Sequence, residues 1–155
     1  MKLVAFLTLL CLLAVNAQEL QGRQFRQCKD RRLRNWYKVG SYCVKFFDEY
    51  LDFNTARTRC QATNTYGELL SVHSLNSNNL VIRLSLNGYY AYSWLGGFLK
   101  GASWVWTDGT QFDYSNMARG PDKTGQQCIA IKGNGSWVPM SCDRELPFYC
   151  GFRDQ

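Results

Sequence analysis

The chain has 155 residues and a formal net charge of +6, because 18 Lys and Arg residues outnumber 12 Asp and Glu residues. This length is sufficient for one hydrophobic core and excludes a second domain of ordinary size. The nine Tyr, nine Phe and five Trp residues are typical of a compact core filled by a few large side chains.

Residues 1–17 have the layout of a cleaved signal peptide. Lys2 precedes an apolar run that ends in the small-residue exit Val15-Asn16-Ala17. The run is shorter than the roughly 20 residues that a bilayer core requires, and no later stretch is long enough. We therefore expect a secreted, extracellular protein without a transmembrane segment.

A basic arm is predicted over residues 18–35. The stretch from Glu19 to Lys38 holds seven cations and two acids, a net charge of +5, whereas the chain from Val39 onward has ten of each. The low apolar content before Trp36 predicts a flexible segment. The cations expected to contact a ligand are Arg23, Arg26, Lys29, Arg31, Arg32, Arg34 and Lys38.

The arginines of this arm suit a polyanionic partner, because arginine holds sulfate or carboxylate groups through paired N–H donors. A heparin-like chain, an acidic membrane surface and nucleic acid share this chemistry, but export from the cell disfavours nucleic acid. Two alternatives stay open for the arm: a solvated tail that aids solubility, and a processing site.

The domain predicted over residues 36–153 begins with helices and ends with strands. Aromatic and β-branched residues predict a first strand over 39–47. Apolar residues at helical spacing predict helices over 53–63 and 75–86, with Asp52 or Asn54 and Ser74 as N-caps. Asp108-Gly109 predicts a tight turn and precedes a long loop. Short strands are then predicted at 128–132, 136–140 and 147–152, which gives an α+β domain.

Six cysteines remain when Cys11 is removed with the signal peptide. An even number of cysteines in an exported chain predicts three disulfides, although six cysteines allow 15 pairings. A zinc site would need close Cys/His pairs, which are missing here, so neither a metal nor a cofactor is expected. The six are Cys28, Cys43, Cys60, Cys128, Cys142 and Cys150.

Several strings in one order resemble the C-type lectin-like domain. They are Trp94-Leu95-Gly96-Gly97, Trp104-Val105-Trp106-Thr107-Asp108-Gly109, and Pro147-Phe148-Tyr149-Cys150, with Cys128, Trp137 and Cys142 in the family order. The resemblance implies the C-type lectin-like fold, with a long irregular loop. It also implies the disulfides Cys28–Cys43, Cys60–Cys150 and Cys128–Cys142.

Within the family, the chain looks most like the branch of the eosinophil granule major basic proteins (bone marrow proteoglycan). The strings that carry this finer resemblance are Leu70-Ser71-Val72-His73-Ser74 and Arg144-Glu145-Leu146-Pro147-Phe148, together with the Trp94 string. Those relatives are similar in lacking the usual calcium dependence, and they favour sulfated polysaccharides. Their domain is extremely basic, however, whereas this chain is balanced after Val39.

The calcium ligands of sugar-binding family members are mostly replaced. Their Glu-Pro-Asn or Gln-Pro-Asp triplet falls on Gly120-Pro121-Asp122, the following Glu on Gln126, and their Trp-Asn-Asp triplet on Trp137-Val138-Pro139. Calcium takes six to eight oxygen ligands, so no calcium site is expected. Asp122, Lys123 and Gln126 are assigned instead to a ligand-contacting surface of the long loop.

The chain is not expected to be an enzyme. His73 is the single histidine, and it is interpreted as a packed or hydrogen-bonded structural residue. No paired carboxylates, phosphate-binding loop or nucleophile motif accompany it. Asn134-Gly135-Ser136 is an N-glycosylation sequon, which predicts a glycoprotein, and a plain glycine-flanked turn is the alternative.

The leading hypothesis is a calcium-independent, heparin-binding type of protein that recognises anionic or sulfated extracellular glycans in innate defence. One alternative is a structural or surface-adsorbing protein, such as a mineral-matrix or an ice-binding protein. The sequence lacks the acidic clusters that usually bind calcium mineral. The other alternative is a protein–protein ligand that uses the lectin-like fold.

Overall fold

The computed structural model describes residues 4, 5, 8, 25–30, 33–85, 89–121 and 125–154. The folded domain contains helix α1 (Phe53–Gln61), helix α2 (Leu75–Leu84) and one sheet. The strands of the sheet are β1 (Tyr37–Val39), β2 (Tyr42–Leu51), β3 (Glu68–Leu69), β4 (Tyr92–Lys100), β5 (Ser103–Trp106), β6 (Gln127–Lys132), β7 (Trp137–Ser141) and β8 (Leu146–Arg153). The predicted α+β class is confirmed.

Strand β8 lies in the middle of the sheet, although it follows all the other strands in the chain. The strand order is β1-β2-β8-β4-β6-β7, while β3 pairs with β8 and β5 pairs with β4. β8 runs antiparallel to β2, with Tyr42 opposite Arg153, and parallel to β4, where Trp94 lies opposite Phe148. The last strand therefore joins the first half of the domain to the second.

The side chains of β8 enter two hydrophobic clusters alternately, because successive residues of a strand point to opposite faces. Phe148 packs in one cluster with Phe53 and Trp94, and Tyr149 packs in the other with Trp137. All five side chains are buried. Both faces of the sheet are thus covered in the central region.

Both helices begin where the sequence predicts. The Asp52 carboxylate accepts hydrogen bonds from the Thr55 N–H (3.0 Å) and the Thr55 hydroxyl (2.7 Å). The Ser74 hydroxyl oxygen accepts from the Ser77 N–H at 3.1 Å. These contacts satisfy N–H groups that have no partner within the helix. α1 ends two residues before the predicted boundary.

The predicted first strand over 39–47 lies mostly in β2, but its first residues form the end of β1 and the turn of a hairpin. Gly40 has a φ of +60°, a left-handed conformation that glycine adopts without steric strain. The chain therefore reverses direction at Gly40-Ser41, and Val39 of β1 lies opposite Tyr42 of β2. Apolar content predicted extended structure here but did not reveal the turn.

The two glycines of the Trp94-Leu95-Gly96-Gly97 string allow neighbouring strands to approach closely. A Cβ atom at Gly96 would overlap the Leu69 carbonyl group, and one at Gly97 would overlap the Ile129 side chain. Any larger residue would push β4 away from β3 or β6. The motif is therefore a packing requirement of this sheet.

All three disulfides that the resemblance implied are confirmed. The Cα–Cα distances are 5.8 Å for Cys28–Cys43, 5.3 Å for Cys60–Cys150 and 5.2 Å for Cys128–Cys142. Cys60–Cys150 attaches α1 to the central strand β8. Cys128–Cys142 joins the start of β6 to the residue after β7.

Residues 25–30, which lie within the predicted arm, run beside β1 in the structure. Lys38 donates its N–H to the Arg26 carbonyl (2.7 Å), and Cys28 donates to the Trp36 carbonyl (3.3 Å). Gln27 forms a bridge with Tyr37. The disulfide and this pairing hold the segment along β1. The boundaries at residues 17 and 35 stay predictions.

Among the residues that the structure describes, no helix is both long enough and apolar enough to cross a membrane.

Candidate functional site

The basic residues of the predicted arm fall into three groups. Arg26, Lys29 and Arg34 are exposed on the segment that precedes β1. Lys38 lies in β1 itself, where its Nζ atom is 2.9 Å from the Asp154 carboxylate, so part of its charge is already compensated. The remaining three, Arg23, Arg31 and Arg32, lie outside the described residues.

The long loop runs from the end of β5 to the start of β6. Gly120, Pro121 and Gln126 are exposed, whereas Asp122 and Lys123 lie outside the described residues. Across the described ranges, no group of three or more His, Cys, Asp or Glu residues is placed to hold a metal ion.

Arg119 connects the long loop to β7. Its Nη2 atom donates a hydrogen bond to the Pro139 carbonyl at 3.1 Å. The resemblance places the last position of the calcium-ligand triplet on Pro139, and the Arg119 guanidinium contacts the carbonyl of that residue. No local pattern in the sequence indicated this contact, because 20 residues separate the two partners.

A cluster of polar side chains lies at the start of the long loop. The Asp108 carboxylate is its centre and accepts hydrogen bonds from the hydroxyls of Ser71 (2.5 Å), Thr110 (2.6 Å) and Tyr42 (3.2 Å). Ser71 and Tyr42 are buried, at 3% and 8% exposure. The cluster therefore attaches the loop to strand β2 and to the segment after β3.

His73 extends this polar cluster to the middle of the loop. Its Nδ1 atom lies 2.6 Å from the Asp113 carboxylate, and its Nε2 atom lies 3.1 Å from the Ser71 hydroxyl and 3.2 Å from the Thr110 hydroxyl. The hydrogen bond from His73 lowers the pKa of Asp113 below its ordinary value. His73 is thus a hydrogen-bonded residue, as the sequence indicated.

Ser71, His73 and Asp113 have the spacing of a Ser-His-Asp triad, but not its hydrogen-bond pattern. A catalytic serine directs its proton to the histidine and stands open to substrate. Here Ser71 is 3% exposed and its hydroxyl donates to Asp108. The three residues serve to hold the loop.

Two adjoining concavities surround this cluster. Their volumes are about 520 Å³ and about 450 Å³, and both are lined by Tyr42, Thr110 and Arg153. The sequence had marked Asp108 only as part of a turn and had not marked Tyr42, Thr110 or Arg153. The short spacing from Asp108 to Thr110 was the available signal, because an Asp side chain often accepts from the N–H two residues on.

The sequon asparagine lies in a tight, exposed turn between β6 and β7. The Asn134 side-chain oxygen accepts hydrogen bonds from the Ser136 N–H (3.0 Å) and the Ser136 hydroxyl (2.7 Å). Gly135 between them has a φ of +88°. The turn itself is therefore present, and glycan attachment at Asn134 stays a prediction.

Comparison with known proteins identifies relatives over most of the folded domain. The family model "Lectin C-type domain" matches residues 49–152. Ladderlectin of Oncorhynchus mykiss is 29% identical over 121 residues, which cover 72% of this chain and 63% of that protein. Proteoglycan 3 of Homo sapiens is 33% identical over 115 residues, which cover 66% of this chain and 51% of that protein.

A solved structure, that of a calcium-independent type II antifreeze protein, has the same fold. It superposes with a TM-score of 0.67 at 22% identity and covers 79% of this chain and 94% of that chain. The family consists of generally non-enzymatic binding proteins, whose ligands are carbohydrates or proteins. The sheet, the three disulfides and the match over residues 49–152 together show that this chain belongs to the C-type lectin domain family.

Proposed function

We propose that this protein is a secreted binding protein that recognises anionic or sulfated extracellular glycans without calcium and has no catalytic activity. The observation that carries the proposal is the exposed position of Arg26, Lys29 and Arg34 on a segment fixed by a disulfide. The disulfide holds this segment against the domain, and less conformational entropy is lost on binding than for a free tail.

The distribution of charge supports a polyanionic ligand. The stretch from Glu19 to Lys38 carries a net charge of +5, and the rest of the folded domain is balanced. A sulfated chain that contacts several of these cations forms several weak ionic contacts. Dissolved salt screens each of these contacts and weakens it. Arg23, Arg31 and Arg32 would add to this surface.

The contacts of the long loop support calcium independence. Gly120 and Val138 bring no side-chain oxygen, and the Pro139 carbonyl already accepts a hydrogen bond from Arg119. A guanidinium at this position restrains the loop without an ion. Gln126, with Asp122 and Lys123, would then contact the ligand as ordinary polar groups of the loop surface.

The disulfides and the first residues of the chain support an extracellular location. Three disulfides are typical of extracellular proteins, and the layout of residues 1–17 agrees with export. We place the chain in the branch of the eosinophil granule major basic proteins and assign it to innate defence. The sequence identities to Proteoglycan 3 (33%) and to Ladderlectin (29%) are compatible with that branch, but they are too similar to distinguish it from other branches of the family.

The proposal is tested by retention on immobilised heparin in a salt gradient, with and without EDTA. The variant Arg26→Gln/Lys29→Gln/Arg34→Gln should elute at lower salt and bind roughly tenfold more weakly, because three exposed ionic contacts are lost. The matched control is Arg83→Gln/Lys100→Gln/Arg144→Gln, which removes three exposed cations elsewhere on the domain.

EDTA should leave the retention of the wild-type protein unchanged. Equal shifts in the two triple variants would show that net charge alone determines retention, and the basic segment would not be a site. Retention that EDTA abolishes would instead identify an ordinary calcium-dependent lectin.

A further inference from the structure

A second candidate site lies in the larger of the two concavities, which we name the α1–β8 cleft. Its walls come from the end of α1 and the turn that follows, from the segment after β5, and from the end of β8. Its volume of about 520 Å³ is within the range of pockets that bind small molecules. Its lining includes Gln61, Tyr66, Glu68, Asp108, Thr110 and Arg153.

The acceptor groups of the α1–β8 cleft are held in fixed positions. Arg57 binds both oxygens of Glu68, at 2.8 Å and 3.0 Å, and Gln61 donates to the same carboxylate at 2.9 Å. Asp108 is fixed as well, but its two oxygens already accept four hydrogen bonds, from Ser71, Tyr42 and both the N–H and the hydroxyl of Thr110. A carboxylate offers about four acceptor positions, so Glu68, with three donors, is the acceptor that can take one more. Acceptors that are already ordered bind a hydroxyl group with little further loss of entropy.

The charges of the α1–β8 cleft are balanced. Glu68 and Asp108 contribute two negative charges, and Arg153 contributes one positive charge. The second positive charge is that of Arg57, which forms an ion pair with Glu68. Neither a polyanion nor a cation gains a net electrostatic attraction from this arrangement. The chemistry therefore favours an uncharged ligand with several hydroxyl groups.

An aromatic ring lies exposed at the rim. Tyr66 is 71% exposed, and its N–H donates to the Asn64 side-chain oxygen at 2.9 Å, so the turn that carries it is ordered. A pyranose ring has hydroxyl groups around its edge and an apolar C–H face, and this face packs on an aromatic ring. Tyr66 together with the fixed Glu68 carboxylate matches both features.

We propose that the α1–β8 cleft binds an uncharged saccharide unit. The C–H face of the saccharide packs on Tyr66, and one of its hydroxyl groups donates to Glu68. The inference rests on the proposed glycan-binding function and adds to it a site separate from the basic segment. The family has carbohydrate ligands, and the chemistry and volume of this cleft fit an uncharged sugar.

The α1–β8 cleft and the basic segment are close neighbours. Arg26 pairs with Lys38, and Lys38 lies opposite Cys43, the residue after Tyr42 of the shared lining. Adjacent strands are about 4.8 Å apart, so the two sites are separated by only a few strand spacings. One oligosaccharide is long enough to place an uncharged unit in the cleft and an anionic unit on the segment.

The test uses three uncharged probes, lactose, chitobiose and methyl α-mannoside, added to the isotope-labelled protein while backbone amide signals are followed by NMR. Salt of roughly 0.5 M screens the basic segment. At least one probe should shift the signals of residues 61–68 and 107–110 with a dissociation constant near 1 mM, on the order of a weak single-site sugar complex.

Two exposed tyrosines supply the variant and its control. Tyr66→Ala should weaken binding of that probe at least about fivefold, equivalent to the loss of one aromatic contact. Tyr89→Ala removes a ring that is 79% exposed and does not line the α1–β8 cleft, so binding should be unchanged. Heparin retention should be the same in both variants.

Absence of shifts with all three probes at about 20 mM would overturn the inference, because even a millimolar site would be filled. Equal binding by Tyr66→Ala and the wild-type protein would overturn it as well. Either result leaves heparin retention by the basic segment intact. Failure of the proposed function would appear differently, as heparin retention that the Arg26/Lys29/Arg34 variant does not change.

Discussion

His73 lies where three parts of the chain meet: strand β2, the segment after β3 and the long loop. Its two ring nitrogens face Asp113 on one side and the hydroxyls of Ser71 and Thr110 on the other. Its ring also stacks on Tyr42, with the centroids 5.9 Å apart. A single side chain thus restrains the irregular loop through several hydrogen bonds.

The hydrogen bond between His73 and Asp113 predicts an acid-dependent contribution to stability. Because the pKa of Asp113 is below its ordinary value of 3.8, the native state favours the ionised carboxylate. This stabilisation is present above pH 3.8 and is lost as the pH falls through the native pKa. Asp113→Asn should therefore lower the melting temperature near pH 6 and have a smaller effect near pH 2.

Melting curves of the wild type and Asp113→Asn between pH 2 and pH 6 measure this difference. Asp143→Asn is a control, since Asp143 is an exposed carboxylate near the start of β8. A constant difference between Asp113→Asn and the wild type at every pH would contradict the prediction.

Residue roles that depend on near neighbours were predictable from the sequence, and those that depend on distant partners were not. Asp52 and Ser74 were identified as caps because their partners lie three residues away. Asp108 and Arg119 act through residues 37 and 20 positions distant. A cap has a local pattern, whereas such a contact exists only after the sheet has formed.

At the level of elements, the β1–β2 hairpin is the support of the basic segment. Residues 25–30 pair along β1, and Cys28–Cys43 ties them to β2. The predicted strand over 39–47 missed this arrangement, because only Gly40 marks the turn. Helix positions were predicted more closely, since apolar spacing over ten residues is a stronger signal than one glycine.

Removal of the Cys28–Cys43 disulfide should loosen the basic segment while the domain stays folded. The bridge closes a loop with a sequence separation of 15, for which the loop-entropy model gives about 3 kcal/mol. Cys28→Ala/Cys43→Ala should lower the free energy of unfolding by up to this amount in urea denaturation. Heparin affinity should fall because the cations become disordered.

An unchanged heparin affinity in a folded Cys28→Ala/Cys43→Ala variant would show that a fixed segment is unnecessary. Cys128→Ala/Cys142→Ala is the matched control, since its sequence separation is 14 and it lies at the other end of the sheet. This control should lose similar stability and retain heparin affinity.

At the level of the whole molecule, the C-terminal strand holds the domain together. β8 contacts β2, β3 and β4, and its Cys150 is bonded to Cys60 of α1. The sequence allowed the fold to be predicted because the glycines and tryptophans of the family strings are packing requirements of this sheet. The two concavities were not predictable, since each is lined by residues from distant segments.

The Cys60–Cys150 disulfide should be the most important of the three for stability. Its sequence separation is 90, and the loop-entropy model gives roughly 4 to 5 kcal/mol for such a loop. The free energy of unfolding of a small domain is only about 5–15 kcal/mol. The Cys60→Ala/Cys150→Ala variant should therefore be largely unfolded at 37 °C. Circular dichroism and thermal melting measure the loss. A melting temperature lowered by less than about 5 °C would contradict the prediction.

The position of β8 also has a consequence for biosynthesis. A polypeptide that leaves the ribosome N-terminus first exposes the open edges of β2 and β4 until β8 is made. Because those edges lack a partner strand until then, the sheet cannot form step by step during synthesis, and the nascent chain is at risk of aggregation. Acquisition of the native state is therefore a late, concerted event, and a premature stop codon that removes β8 would leave no partially functional product.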